Sequence, residues 1–241
     1  MNARFGSMGS MSHLVRSEPW GVTDLDLDKG HVFVRQDWRY QWVDNPPLPP
    51  WTHEERWDFH HRLDRLIWAH WSLKARLHVR STRGAAQSHA RPDDLATRFG
   101  EKGLTLSFDV RSVVGPAHWQ AHVLKVDSER RPFPRSSTDF ARRILELHSI
   151  DVLPHFASRR DKDPRKQSNV YVAAHEFGHA IGYANPRGHP DEYARDNPFL
   201  EDVHSIMNIG RHVRARHLSL ISETLEKMVP DNRFQALVGT K

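Results

Sequence analysis

The sequence predicts an α+β fold, in which a mixed, twisted sheet packs on two helices and a small helical part follows at the C-terminal end. Three observations predict it. Apolar and polar residues alternate over residues 31–43, 73–79, 104–110 and 119–126, the period-two pattern of half-buried strands. Phe59, Leu63, Leu66, Ile67 and His70 recur at helical spacing between the first and second of these runs. Beyond residue 168 the pattern turns helical twice more.

In chain order, residues 1–20 read as a flexible tail or linker with a Gly-Ser-Met pattern. Val32, Val34, Trp38, Tyr40 and Trp42 mark the first strand, which Asn45-Pro46-Pro47-Leu48-Pro49-Pro50 breaks. Thr52 with Glu55 three residues on has capping-box spacing and starts the first helix. Leu73, Ala75, Leu77 and Val79 form the next strand, and Ser81 to Gly103 reads as a long polar loop. The strand from Leu104 to Val110 turns at Val113-Val114-Gly115-Pro116, and Trp119 to Val126 is expected to return as its hairpin partner. Residues 127–137 read as a charged loop. Thr138 to Leu153 fits a helix or a helical turn leading into a strand at Leu145–Val152. Ser168 to Ala184 reads as a helix, ended by Asn185-Pro186-Arg187-Gly188, and a last helix runs from about Val213 to Met228.

Composition bounds the chemistry. The chain has 241 residues, 38% of them hydrophobic and 27% charged, enough for one domain with a proper core. It has no cysteine, so disulfides, thiolate metal sites and a cysteine nucleophile are excluded, and a metal must be held by His, Asp or Glu. No apolar run approaches the ~20 residues of a membrane span or resembles a signal peptide. The formal charge of +5 would suit an anionic partner. The basic residues are nevertheless dispersed, apart from the run Arg159, Arg160, Lys162, Arg165 and Lys166, and no nucleic-acid-binding motif accompanies them.

The most specific pattern is His175-Glu176-Phe177-Gly178-His179. Histidines four apart on a helix project from one face, one turn apart, and can aim a ring nitrogen at one ion. Glu176 is rotated around the helix. It reaches not the ion but a water beside it, whose proton it can take and pass to a leaving amine. This is the fingerprint of helical zinc peptidases, and chance placement gives about 0.06 matches in a chain of this composition. The flanking Val170, Val172, Ala173, Ala174, Ala180 and Ile181 make the helix apolar enough to bury. Bare histidines and a glutamate would be costly there unless they coordinate something. The motif lacks a third ligand, for which His189, Asp191, Glu192, His204, His212, His217 and Glu223 are candidates. Glu223 points away from the Leu218, Ile221, Leu225 and Met228 stripe, as a solvated residue would. Candidate electrophiles are His212, His217, Tyr183 and Tyr193.

The run HEFGHAIGYAN resembles the extended metal motif of metzincin peptidases at His175, Glu176, His179 and Gly182. It departs at Asn185, where the third histidine is expected. Ser205-Ile206-Met207-Asn208 resembles the Met-turn of that clan, with Met207 as an apolar floor and Ile209 in place of the usual tyrosine. The whole chain, most strongly Val170 to Met228, is similar to the metallopeptidase toxin domain of VgrG-type spike proteins of bacterial type VI secretion systems. That resemblance implies a zincin-like domain over residues 21–241, sheet-rich to about residue 155, with metal-site and C-terminal helices over about 168–230. It implies one Zn2+ per chain held by His175, His179 and Glu223, with Glu176 as general base. It further implies carriage on a secretion spike, action on protein or peptide in a target-cell periplasm, and a cognate immunity protein. Peptidoglycan stem peptides are the alternative substrate, and a non-catalytic zinc module the alternative class.

Overall fold

Strand β3 (His31–Val43) is the spine of the molecule in the computed structural model, which describes residues 12–82, 95–129, 135–158, 167–183 and 191–239. Its length lets it pair with three neighbours. β2 (Gly21–Asp26) runs antiparallel to its first half, β5 (Leu104–Ser112) runs parallel along His31–Trp38, and β6 (Trp119–Leu124) runs parallel along Trp38–Val43. The expected hairpin between the 104–110 and 119–126 runs is therefore not formed. Both segments find a longer partner in β3, and β6 pairs on with β8 (Ile144–His148). With β4 (Ala75–Ser81), β7 (Ser137–Asp139) and β11 (Asn232–Val238) the order is β11-β4-β5-β3-β6-β8-β7, and β1 (His13–Glu18) pairs with β2. Parallel and antiparallel pairs thus share one sheet.

Among the described residues four helices accompany it: α1 (His53–Trp71), the short α2 (Leu95–Phe99), α3 (Val172–Ala180) and α4 (Ser219–Met228). The capping box at the start of α1 is present, with Glu55 N–H donating to Thr52 Oγ1 at 3.2 Å and Thr52 N–H donating to Glu55 Oε2 at 2.8 Å. Phe59, Leu63, Leu66, Ile67 and Trp71 bury the inner face of α1, with His70 at its margin. No helix among the described residues is long and apolar enough to cross a membrane.

α3 lies in the middle of this core. Its alanines permit close approach, and Phe177 packs edge-on against Phe108 at 5.5 Å and Trp71 at 5.7 Å between centroids. Full burial of one such ring stabilises the fold by roughly 1.5–3 kcal/mol. Polar ties fix the helix further. Trp71 Nε1–H donates to the Ala174 carbonyl at 2.9 Å. The buried Gln36 of β3 donates to the Ala180 carbonyl at 2.8 Å and accepts from Trp38 Nε1 at 3.0 Å. These bonds satisfy groups that would be expensive to bury alone.

Several expectations are corrected. Residues 13–18, read as tail, are the edge strand β1, in which only one face is partly covered. The helix expected from Ser168 starts at Val172, because Gln167–Val170 is strand β10, paired antiparallel with β9 (His155–Ser158). Within the expected 81–103 loop, the buried Leu95 is the first residue of α2. Residues 144–148 take the strand alternative. The last helix is split into a 3-10 turn, Ala215–Leu218, and α4. The basic run 159–166, Asn185 and His189 lie outside the described residues.

Candidate metal centre and catalytic pocket

Helix α3 sets the His175 and His179 rings 5.1 Å apart between centroids. Each ring spends its Nδ1 proton on a backbone carbonyl, His175 on Ile206 and His179 on Tyr183, both at 2.9 Å. Such outer bonds fix ring orientation and turn the Nε2 atoms inward. Between them stands Asp191 Oδ1, 2.9 Å from His175 Nε2 and 3.3 Å from His179 Nε2. The three donor atoms lie within 4.8 Å of one another, and all three residues are buried. A tetrahedral ion bound at roughly 2.0–2.1 Å needs donors about 3.3 Å apart, and the two carboxylate–imidazole spacings of 2.9 and 3.3 Å are close to that.

The charges agree with that geometry. Burial pushes the Asp191 carboxyl up, but His175 and His179 outweigh it and hold the group well below the usual carboxylate range. Burial pushes the His175 imidazolium down, yet Asp191 and Glu176 raise it above its ordinary value. Asp191 and His175 thus favour each other's charged forms across the point where a cation would sit. Arg135 adds its guanidinium on the outer side, against Asp191 Oδ2 and Tyr193 Oη.

Glu176 is buried on the wall of an adjoining pocket of about 310 Å³. Thr138 of β7 donates to its Oε2 at 2.8 Å, which aims the carboxylate from outside the helix. Two residues back, at the spacing that returns a side chain to the same face of an extended segment, Ser136 donates to Asp151 Oδ2 at 2.6 Å and lies 2.9 Å from His148 Nδ1. His148, Tyr193, Asn208 and Ile209 also line this pocket.

The segment Ser205–Gly210 packs against the site through Ile206 and Met207. Met207 is fully buried, and a Cβ built on Gly178 would stand 2.2 Å from its Sδ, so the helix needs glycine where it crosses the methionine. Met207 thus packs on α3 at Gly178, between the two histidines in sequence. Its carbonyl accepts from Glu192 N–H at 2.9 Å, while Ile206 holds His175. Glu192 is itself buried. Arg216 donates to it twice, at 2.6 and 2.8 Å, and Tyr183 Oη donates at 2.7 Å. Burial pushes this carboxyl up, but Arg216, His217, Ser205 and Tyr183 together hold it far below its ordinary value.

Of the residues expected at the site, His175, Glu176 and His179 are together, and Asp191 is the candidate that joins them. Glu223 does not. It lies on the exposed side of α4, whose buried residues Ile221, Thr224 and Leu225 face the core, and it is not in the donor group. His204 and His212 are exposed, and the buried His217 is engaged with Glu192 and Ser205. Sequence reasoning missed Thr138, Ser136, His148 and Arg135. They sit on a three-residue strand, a neighbouring strand and a loop, where no periodicity marks a functional face.

The chain matches no family model, no curated protein and no solved structure.

Proposed function

We propose that this protein is a zinc-dependent hydrolase of peptide bonds, with His175, His179 and Asp191 as ligands and Glu176 as general base. The observation that carries the reading is the convergence of two Nε2 atoms and one carboxylate oxygen beside a pocket that also holds Glu176. Imidazoles with a carboxylate suit zinc over magnesium or calcium, which prefer all-oxygen shells. Three protein ligands are what catalytic zinc sites use, leaving a fourth position for water or substrate. When bound, the ion would lower the pKa of a water and polarise the scissile carbonyl. Glu176, aimed by Thr138, would take the proton of the attacking water and return it to the departing amine. A purely structural zinc site has no use for a buried carboxylate held at a pocket wall, which favours the enzyme over the non-catalytic module.

Metal analysis of purified protein should find one zinc per chain. Glu176→Gln should keep the zinc and lose about 10²- to 10⁴-fold in turnover of a denatured protein substrate or of peptidoglycan stem peptides. Full activity in that variant would sink the proposal, and the two substrates separate the peptidase and cell-wall alternatives. On the resemblance to spike-borne toxin domains alone, we further propose delivery by a type VI secretion spike into a target-cell periplasm, countered by an immunity protein. Expression in a Gram-negative host should then be toxic only with a periplasmic leader and an intact Glu176.

A further inference from the structure

The geometry points to Arg135 as the specificity-determining residue of the pocket, selecting substrates that carry a carboxylate beside the bond to be cut. This inference rests on the peptidase reading above. Arg135 stands on the pocket wall immediately before Ser136, with its side chain 66% exposed. Its Nη2 faces Asp191 Oδ2 and Tyr193 Oη, and the guanidinium lies 5.5 Å over the Tyr193 ring. A guanidinium has five donors in a rigid fork. These contacts engage one nitrogen, and among the described residues Nε and Nη1 have no hydrogen-bond partner and can meet a second one.

The carboxylates already in the pocket have other duties. Asp151 accepts from Ser136 Oγ at 2.6 Å and from His148 N–H at 2.7 Å. Glu176 is held by Thr138, and Asp191 is turned to the histidines. Among the described lining residues Arg135 is the only lysine or arginine, so it is the permanent cation that the pocket offers a substrate. His148 and His155 add imidazoles to the same wall, while Ile150, Val170 and Val172 supply an apolar surface for a methylene stem. A pocket with apolar walls and a pre-aimed guanidinium fits an aliphatic chain ending in a carboxylate. That carboxylate has two possible sources: an acidic side chain or the free C-terminus of the peptide.

The test uses the zinc-loaded full chain and acetylated pentapeptides that differ only by Glu or Gln at one position, each made with an amidated or a free C-terminus. Glu over Gln, or free acid over amide, should be preferred by about 10- to 100-fold in kcat/KM. The pair that shows the preference identifies the source. In Arg135→Gln the ratio should fall to within about twofold. A role confined to supporting Asp191 would lower both members of a pair together and leave the ratio standing, which would overturn the proposal. So would a wild-type protein indifferent to charge. Binding of the same pairs to zinc-loaded Glu176→Gln protein, read by fluorescence anisotropy, separates the two claims. Cleavage of no peptide would remove the peptidase reading. Absence of a carboxylate preference in binding would by itself remove the role of Arg135.

Discussion

Exchange of Asp191 for asparagine keeps the shape of the side chain and removes the one carboxylate donor of the proposed metal centre. Oδ1 stands 2.9 and 3.3 Å from the two histidine nitrogens, so the asparagine oxygen could occupy the same place as a weaker, neutral ligand. Loss of an outer partner of a metal ligand typically costs about 10- to 100-fold in affinity, so loss of a ligand's charge should cost at least about 100-fold. That factor is about 2.7 kcal/mol. At metal concentrations that saturate the parent protein, the stabilisation by bound metal should fall by up to the same amount. For a domain of this size the melting temperature should drop by about 5–11 °C relative to zinc-loaded parent. Differential scanning fluorimetry with and without zinc measures the shift, and competition with a chromophoric chelator measures the affinity. Glu223→Gln, on the exposed side of α4, should change neither. Retention of parent affinity by Asp191→Asn, with loss in Glu223→Gln, would refute the ligand assignment.

The Glu192 network offers an independent check. Arg216→Ala leaves a fully buried carboxylate without its guanidinium and should cost about 3–5 kcal/mol, measured by urea unfolding. The carboxyls of Glu192 and Asp202 are both held below their ordinary values, burial being outweighed by Arg216 with His217 for the first and by Arg214 and Arg216 for the second. Their stabilisation is therefore complete above about pH 4.5 and is lost as pH falls through the folded-state values. Acid titration of the parent should show this loss, and Arg216→Ala should flatten it. Gly210→Ala places a Cβ 2.1 Å from the His204 carbonyl carbon and oxygen, which are backbone atoms with no rotamer to change. It should destabilise by about 3 kcal/mol or more and weaken zinc binding, both visible in one thermal scan.

The parts of this fold written in local pattern are legible in the sequence. The alternation of β3, the capping box of α1 and the i, i+4 histidines of α3 each need only neighbours within a few residues. Which strands pair is not local. β5 and β6 meet β3 because a thirteen-residue strand can serve both, and nothing within either run signals it. β10 has the β-branched Val170 but sits beside good helix formers, and the ladder to β9 decides its state. The proposed third ligand, Asp191, was one of seven candidates for a related reason. Asp191 is outside any helix or strand, so its position depends on Glu192 being anchored to Met207 and Arg216. Glu223 followed from resemblance, against a helical periodicity that already placed it toward solvent.

The segment Ser205–Gly210 holds His175 through Ile206 and the Asp191 strand of chain through Met207. Two donors on a rigid helix and one on an irregular stretch are thus referred to a common gauge that touches no ion itself. A calorimetric titration with zinc would then register the seating of that stretch together with coordination as one heat. Substitutions in the gauge would pass for ligand defects in any assay that counts metal alone. Grafting α3 onto another scaffold would carry over the histidines but leave behind the part that fixes the distance between them and the carboxylate.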